Sequence, residues 1–355
     1  NVLTNLSGLE NLDSIMGGAW IESNAALTSL TGLDNLVSVG DDLYISFNNA
    51  LSSLTGLDNL VSVGDNFSIH NNNALTSLTG LEGLSSIGGN LGIGGEVALT
   101  SLIGLEGLTF IGGDFSISNN ESLASMSGMT GLQTIGGDLR IGHIDYEGNP
   151  SLINLTGLEG LNSIGGDLRI EINDSLISLV GLENLNSIWG DLRIGGNDAL
   201  TSLTGLDNID AGSISGLFIT YNFALSTCKV QSVCDYLASP GGTIEIHGNA
   251  PGCNSQEEVE EACEMSVNEL NFLDKLSIYP NPFSKTITIE FDLKQPEIVT
   301  ITIYNHLGRQ VEVIEKKQSA GKQQIVWDAK GLPAGVYFCV LKTNKGIQTT
   351  KIVKL

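Results

Sequence analysis

Arg140, Arg169 and Arg193 are three of the four basic residues in the first 267 positions, and each stands two residues after an aspartate: Asp138, Asp167 and Asp191. A guanidinium fork donates paired hydrogen bonds and a carboxylate accepts them, so the arrangement suits recognition of hydroxyl- or amide-bearing ligands. The competing reading is mutual neutralisation on an exposed surface, where each pair contributes only about 0–1 kcal/mol. Tyr44 occupies the same place in an earlier copy of the surrounding pattern and offers a flat ring for stacking. Catalytic chemistry is not indicated. His70, His143, His247 and His306 are scattered, and no zinc-protease, nucleophile-elbow, P-loop or dinucleotide fingerprint occurs. A protein that is not an enzyme is expected, with a polysaccharide-active enzyme as the weaker alternative.

A second cluster is Cys228, Cys234, Cys253 and Cys263, four cysteines within 36 residues and without the C-x₂-C spacing of common zinc sites. They predict two disulfides and an oxidising compartment, with zinc as the alternative. Of the three connectivities, Cys228–Cys253 with Cys234–Cys263 is preferred, because the first joins equivalent loops and the second joins two short helices. Cys339, inside the run VYFCVL, reads as a buried thiol.

A third feature is an acidic column: Glu10, Asp34, Asp58, Glu82, Glu106, Glu159, Glu183 and Asp207, broken by Thr130. A solvated acidic edge is expected there. Calcium, a hard cation suited to carboxylate oxygen, is the alternative. No cofactor and no resident metal are expected.

All three features hang on one repeat. Anchor glycines at Gly8, Gly32, Gly56, Gly80, Gly104, Gly128, Gly157, Gly181 and Gly205 recur every 24 residues, except for one step of 29 that holds an insertion around positions 143–150. Relative to each anchor, apolar residues fall at −5, −2, +1, +4, +7, +11 and +13, as in Leu27, Leu30, Leu33, Leu36, Val39, Leu43 and Ile45. A spacing of three drifts around a helix, whereas the last pair alternates as a strand does. Each copy therefore reads as one coil of a parallel β-solenoid, with a strand at +10 to +14 and tight arcs elsewhere. Residues at +10, +12 and +14 then face solvent, which places Tyr44, Asp138, Arg140, Asp167, Arg169, Asp191 and Arg193 on one sheet face. At +16 stand Asn24, Asn48, Asn72, Asn120, Asn173 and Asn197, a candidate buried ladder, with Glu96 and Ile144 as exceptions. The pattern L-x-x-I-G-G-D-L-x-I-x-x-N-x-x-L resembles the receptor L domain, a leucine-rich-repeat-like solenoid. That resemblance implies a right-handed parallel coil that binds partners and has no catalytic activity.

Charge marks the end of this region. Before Asn268 there are 4 basic and 32 acidic residues, a net of −28; from there on 12 basic face 8 acidic, a net of +4. The acidic balance excludes nucleic acid as a partner, and no apolar run approaches the ~18 residues that span a bilayer. Asn1 already lies inside a repeat, so a preceding segment is expected. The expected domains are a solenoid at 1–227, a disulfide-bonded α/β cap at 228–267 and an Ig-like antiparallel β-sandwich at 268–355. The last part carries Tyr279-Pro280-Asn281-Pro282, then Leu307-Gly308-Arg309, then Leu332-Pro333-Ala334-Gly335-Val336-Tyr337, and closes on Lys351-Ile352-Val353-Lys354. These motifs, in this order, resemble the type A sorting domain of the Bacteroidota type IX secretion system. The resemblance implies engagement of that secretion machinery, removal of the tail near residues 264–274, and an extracellular or outer-membrane surface location. A binding or adhesion scaffold with a glycan or protein ligand on the solenoid face is the expected function; a structural surface or matrix component is the alternative.

Overall fold

The computed structural model describes residues 3–143, 148–271, 276–293, 295–305, 309–343 and 347–355. It divides into two compact units, Asn1–Glu261 and Ala262–Leu355.

The first unit is a parallel β-solenoid of coils about 24 residues long. Its main sheet has ten strands, running from Ala19–Glu22 through Leu43–Ser46, Phe67–His70, Leu91–Gly94, Phe115–Ser118, Leu139–Ile141, Leu168–Glu171, Leu192–Gly195 and Leu217–Thr220 to Ile244–His247. Register is kept at one coil per step: Tyr44 pairs with Ser68, and Arg140 pairs with Arg169 across the insertion. Outside this sheet the repeat predicts only arcs. Instead a second, eight-stranded sheet is built from two-residue strands, from Ser14–Ile15 to Ser187–Ile188. Two residues per coil are too few to show as alternation, which is why the pattern hid it.

The leucines three apart close consecutive turns: Leu33 N donates to Leu30 O at 3.1 Å, and Leu36 N donates to Leu33 O at 2.8 Å. A chain that turns every three residues points each third side chain inward, so Leu27, Leu30, Leu33 and Leu36 are all buried. Burying each such side chain stabilises the fold by roughly 1.5–3 kcal/mol before chain entropy is counted.

The ladder at +16 is buried and continuous. Asn48, Asn72, Asn120, Asn173 and Asn197 are joined by Asn149, Asn222 and Asn249. Each side-chain amide donates to the strand carbonyl of the preceding coil, for example Asn173 Nδ2 to Ile141 O at 2.9 Å. Ile144, expected as an exception, lies outside the described residues; Asn149 takes the ladder place because the insertion shifts the count. Glu96 is no break in the ladder either, since its carboxylate accepts from Asn72 N.

The cysteine segment continues the solenoid. The helix Gln231–Ala238 packs against the short helical turn Ala211–Ser213, the strand Ile244–His247 adds to the main sheet, and the helix Gln256–Asn271 follows. The second helix runs to 16 residues, longer than the short one expected. Its start is held by Glu258 Oε2, which accepts from Gly252 N at 2.7 Å and Asn254 N at 2.9 Å. Cys228 and Cys253 form a disulfide with Cα atoms 5.5 Å apart. Cys234 and Cys263 are half-cystines too. Cys339 is the free thiol, buried in the tail, and burial pushes its pKa up to about 12. Alkylation of the denatured but unreduced full chain, before its tail is removed, should therefore modify Cys339 alone. Labelling at any of the other four would contradict the disulfides.

The second unit carries antiparallel sheets of three and four strands around one core. Ser277–Tyr279, Thr286–Leu293 and Gly321–Asp328 form the first sheet. Gln310–Gln318, Glu297–Asn305, Gly335–Lys342 and Ile347–Lys354 form the second. Inward residues alternate along the strands, and Phe283, Phe291, Ile301, Trp327, Tyr337 and Ile352 pack together between the sheets.

Candidate recognition face and tail

The main sheet turns alternate residues outward. In Leu43–Ser46, Leu43 and Ile45 are buried while Tyr44 is half-buried, so position +12 forms a column on the open face. Along it stand Trp20, Tyr44, Ser68, Gly92, Ser116, Arg140, Arg169 and Arg193, each in register with the next. Of the seven residues expected on this face, Tyr44, Arg140, Arg169 and Arg193 stand in the column, and Asp138, Asp167 and Asp191 lie beside it, each paired with its arginine.

The structure ties the three arginines to aspartates more tightly than an open binding track would. Arg140 bridges Asp114 at 2.6 Å and Asp138 at 2.5 Å. Arg169 donates to Asp167 at 2.5 Å, and Arg193 to Asp191 at 2.5 Å. The aspartates have a second task that spacing alone did not reveal. Asp138 Oδ1 accepts from Asp167 N at 2.8 Å, and Asp167 Oδ1 accepts from Asp191 N at 2.7 Å. They form an outer ladder that staples adjacent coils. Partial burial works against ionisation of Asp167, but the Asp191 amide and the Arg169 guanidinium outweigh it and hold the carboxyl below its ordinary value. Arg193 also lies over the Phe218 ring, 3.7 Å from its centroid, a cation–π contact missing from the sequence reading. One arginine, Arg140, lines a hollow.

That hollow is where the outward side chains are smallest. Ser68, Gly92 and Ser116 form a floor between Tyr44 on one side and Arg140 on the other. Two adjoining depressions share Ser116 and Arg140. The larger, about 440 Å³, is bordered by His70, Asn71, Gly94, Asn119 and His143. The smaller, about 320 Å³, is bordered by Tyr44, Asn66, Asn90 and Asp114. Tyr44 is itself backed by Trp20, the rings stacked 9° from parallel with centroids 5.9 Å apart. Trp20 stands at +12 of the first anchor, so the repeat alone could have found it.

The acidic column is not simply a solvated edge. Asp34 Oδ2 accepts from Gly32 N at 2.7 Å, and Glu82, Glu106, Glu159 and Glu183 cap their own anchor glycines in the same way at 2.8–2.9 Å. Their charge is satisfied by backbone N–H groups that the tight turn leaves unpaired. Among the described residues, no group of three or more His, Cys, Asp or Glu side chains is placed to hold a metal ion. No helix among them is long and apolar enough to cross a membrane.

In the tail, the expected motifs converge although they are up to 72 residues apart in sequence. Asn281 Oδ1 accepts from Val353 N at 2.9 Å and Asn281 Nδ2 donates to Lys351 O at 3.0 Å. Both Pro280 and Pro282 follow cis peptide bonds. Tyr337 donates to Pro333 O at 2.8 Å, and Lys354 Nζ donates to Leu332 O at 2.6 Å. Gly335, with positive φ, opens the strand that pairs with the closing one. Tyr279 donates to Glu290, whose carboxyl Lys322 and Gln324 hold down to about 2. Gly308 and Leu307 lie outside the described residues. Asn281 thus clips the Tyr279–Pro282 corner to Lys351 and Val353 of the closing strand Ile347–Lys354, so the motifs read separately are one structural edge.

Comparison with curated proteins gives no match. Residues 277–355 match the family described as the secretion system C-terminal sorting domain, so the chain ends in a type IX sorting domain and is marked for export through that system.

Proposed function

We propose that the solenoid is a non-catalytic binding or adhesion scaffold, secreted or displayed at the cell surface of a member of the Bacteroidota. On this reading it is a leucine-rich-repeat-like coil of the receptor L-domain kind. The observation that carries it is the hollow between Tyr44 and Arg140. A regular repeat with every +12 side chain large would be flat, whereas here three small residues in succession leave room for a ligand. Ser68, Ser116 and Asn90 present hydroxyl and amide groups, and Tyr44 presents a ring, a combination that suits a neutral glycan or an extended peptide. Arg169 and Arg193 serve the sheet, not the ligand. Their neutralisation by aspartate also supports the second reading, a structural surface or matrix component.

Glycan and peptide arrays probed with the full chain test the proposal. Retained ligand should be lost at least tenfold on Gly92→Trp, which fills the floor, and unaffected by Arg169→Ser. Ligand retention that survives Gly92→Trp in a folded protein moves the site elsewhere, and a chain that retains nothing favours the structural reading.

The tail is proposed as a removable address. Deleting Lys351–Leu355 removes the half of the closing strand that Asn281 clips, so the protein should accumulate in the periplasm. Mature surface protein should end near residues 264–274, of which 272–274 lie outside the described residues. Mass spectrometry that finds Leu355 on surface protein would contradict removal.

A further inference from the structure

Every described rung of the buried ladder except one is an asparagine, whose amide both accepts and donates. The exception, Glu96, is fully buried. Asn72 N donates to both of its carboxylate oxygens at 3.1 and 3.0 Å, and Asn72 Nδ2 donates to Oε1 at 3.1 Å. Glu96 N in turn donates to Asn120 Oδ1 at 3.2 Å. Elsewhere in the ladder a side-chain amide makes a further bond of this kind: Asn48 Nδ2 donates to Asn72 Oδ1 at 3.2 Å, and Asn120 Nδ2 to Asn149 Oδ1 at 3.0 Å. Amides at this place also donate to the strand carbonyl of the coil before, as Asn72 does to Ile45 O and Asn120 to Ile93 O. For Glu96 the equivalent acceptors are Asn120 Oδ1 and Ile69 O. An ionised carboxylate has no hydrogen to give either of them, and a neutral one has one.

We propose that Glu96 makes the corner Gly94–Gly95–Glu96 a proton-operated latch: neutral, it donates into the ladder and keeps the corner closed; ionised, it has no hydrogen for the neighbouring acceptors and places a charge without a cationic partner in the buried ladder, which opens the corner to water. Gly94 and Gly95 border the larger hollow, so the latch sets the shape of that hollow whatever the face binds. Burial favours the neutral acid and raises its pKa to about 7, with the Asn72 N–H groups opposing. The rungs that face it from the adjoining coils, Asn72 and Asn120, do not titrate. Glu121, beside Asn120, is exposed. His70 borders the corner from the third coil, and burial lowers its pKa while a bond to the Gly94 backbone opposes. His143 lines the far side of the hollow.

The sign follows from proton uptake. Between the ordinary carboxylate value and about 7, the closed corner holds a proton that the open corner releases, so rising pH favours opening by up to about tenfold per pH unit. Above about 7 both forms are ionised and the dependence ends.

Amide hydrogen exchange on the full chain at pH 5 and pH 7.5, corrected for intrinsic rates, tests this. Protection of the Asn72 and Glu96 amides should fall at least tenfold in the native sequence. It should change less than about threefold in Glu96→Asn, which restores an ordinary rung, and in Glu96→Gln, which serves if the first variant does not fold. The fall should persist in His70→Gln. Equal protection at both pH values, a fall that remains in a folded Glu96 variant, or its disappearance in His70→Gln would each overturn the latch.

Discussion

Replacing Gly104 with alanine should destabilise the solenoid by on the order of 4 kcal/mol, at the upper end of single-residue effects. Two costs combine. Gly104 has φ +114°, a backbone region that strains any residue with a side chain, by about 1–3 kcal/mol. Its Cβ would also stand 2.2 Å from Leu78 O and 2.4 Å from Leu78 C, both backbone atoms of the preceding coil. Neither atom can rotate away, so the coils themselves must part. Parting them loosens turn and inter-coil bonds together, among them Leu78 N to Ile103 O at 2.8 Å and Gly104 N to Glu106 at 2.9 Å. Gly8→Ala is the matched control within the same unit. That anchor glycine also has positive φ, +106°, but nothing lies within 4 Å of the added carbon, so only the local strain of about 1 kcal/mol should appear. Urea unfolding followed by circular dichroism should separate the two. A Gly104→Ala protein with an unchanged midpoint would mean that the coils do not pack this closely in solution.

Asn173→Ala should cost about 3 kcal/mol, again far more than a surface change. The side chain is fully buried and donates to Ile141 O at 2.9 Å and Glu171 O at 3.0 Å. Its oxygen accepts from both Asn149 N and Asn149 Nδ2 at 3.1 Å. Truncation leaves these groups buried and unpaired, which is the expensive outcome, because water cannot reach them to replace the lost bonds. Asn24 holds the same place at the partly exposed first rung, where water can substitute, so Asn24→Ala should cost under about 1 kcal/mol. Thermal unfolding of the pair gives the comparison. Equal losses at the two rungs would show that burial does not set the value of the ladder.

The coil and its inward face were legible because the same seven apolar offsets return in eight of the nine copies, and each copy must bury its face against its neighbours. The sheet face bearing Tyr44, Arg140, Arg169 and Arg193 was legible for the same reason, since alternation along a strand dictates which residues point out. The tail motifs were legible as a set. Their convergence was not, because the clip between Asn281 and the closing strand joins segments 70 to 72 residues apart.

What the sequence determined by itself is therefore the period, the direction of each side chain and the oxidised state expected of four cysteines. Only the tertiary structure decided which polar groups are spent on holding coils together and which remain open. Asp138, Asp167 and Asp191 looked like ligand acceptors, yet one oxygen of each accepts a backbone N–H or pairs a guanidinium within the sheet. The capping of anchor glycines by Asp34 and Glu82 could not be foreseen, because the N–H they satisfy is left unpaired only once the glycine turns. The hollow at Ser68, Gly92 and Ser116 is likewise a property of stacking. Small side chains are unremarkable in one coil, but parallel register places three of them side by side, and their missing volume becomes a single space.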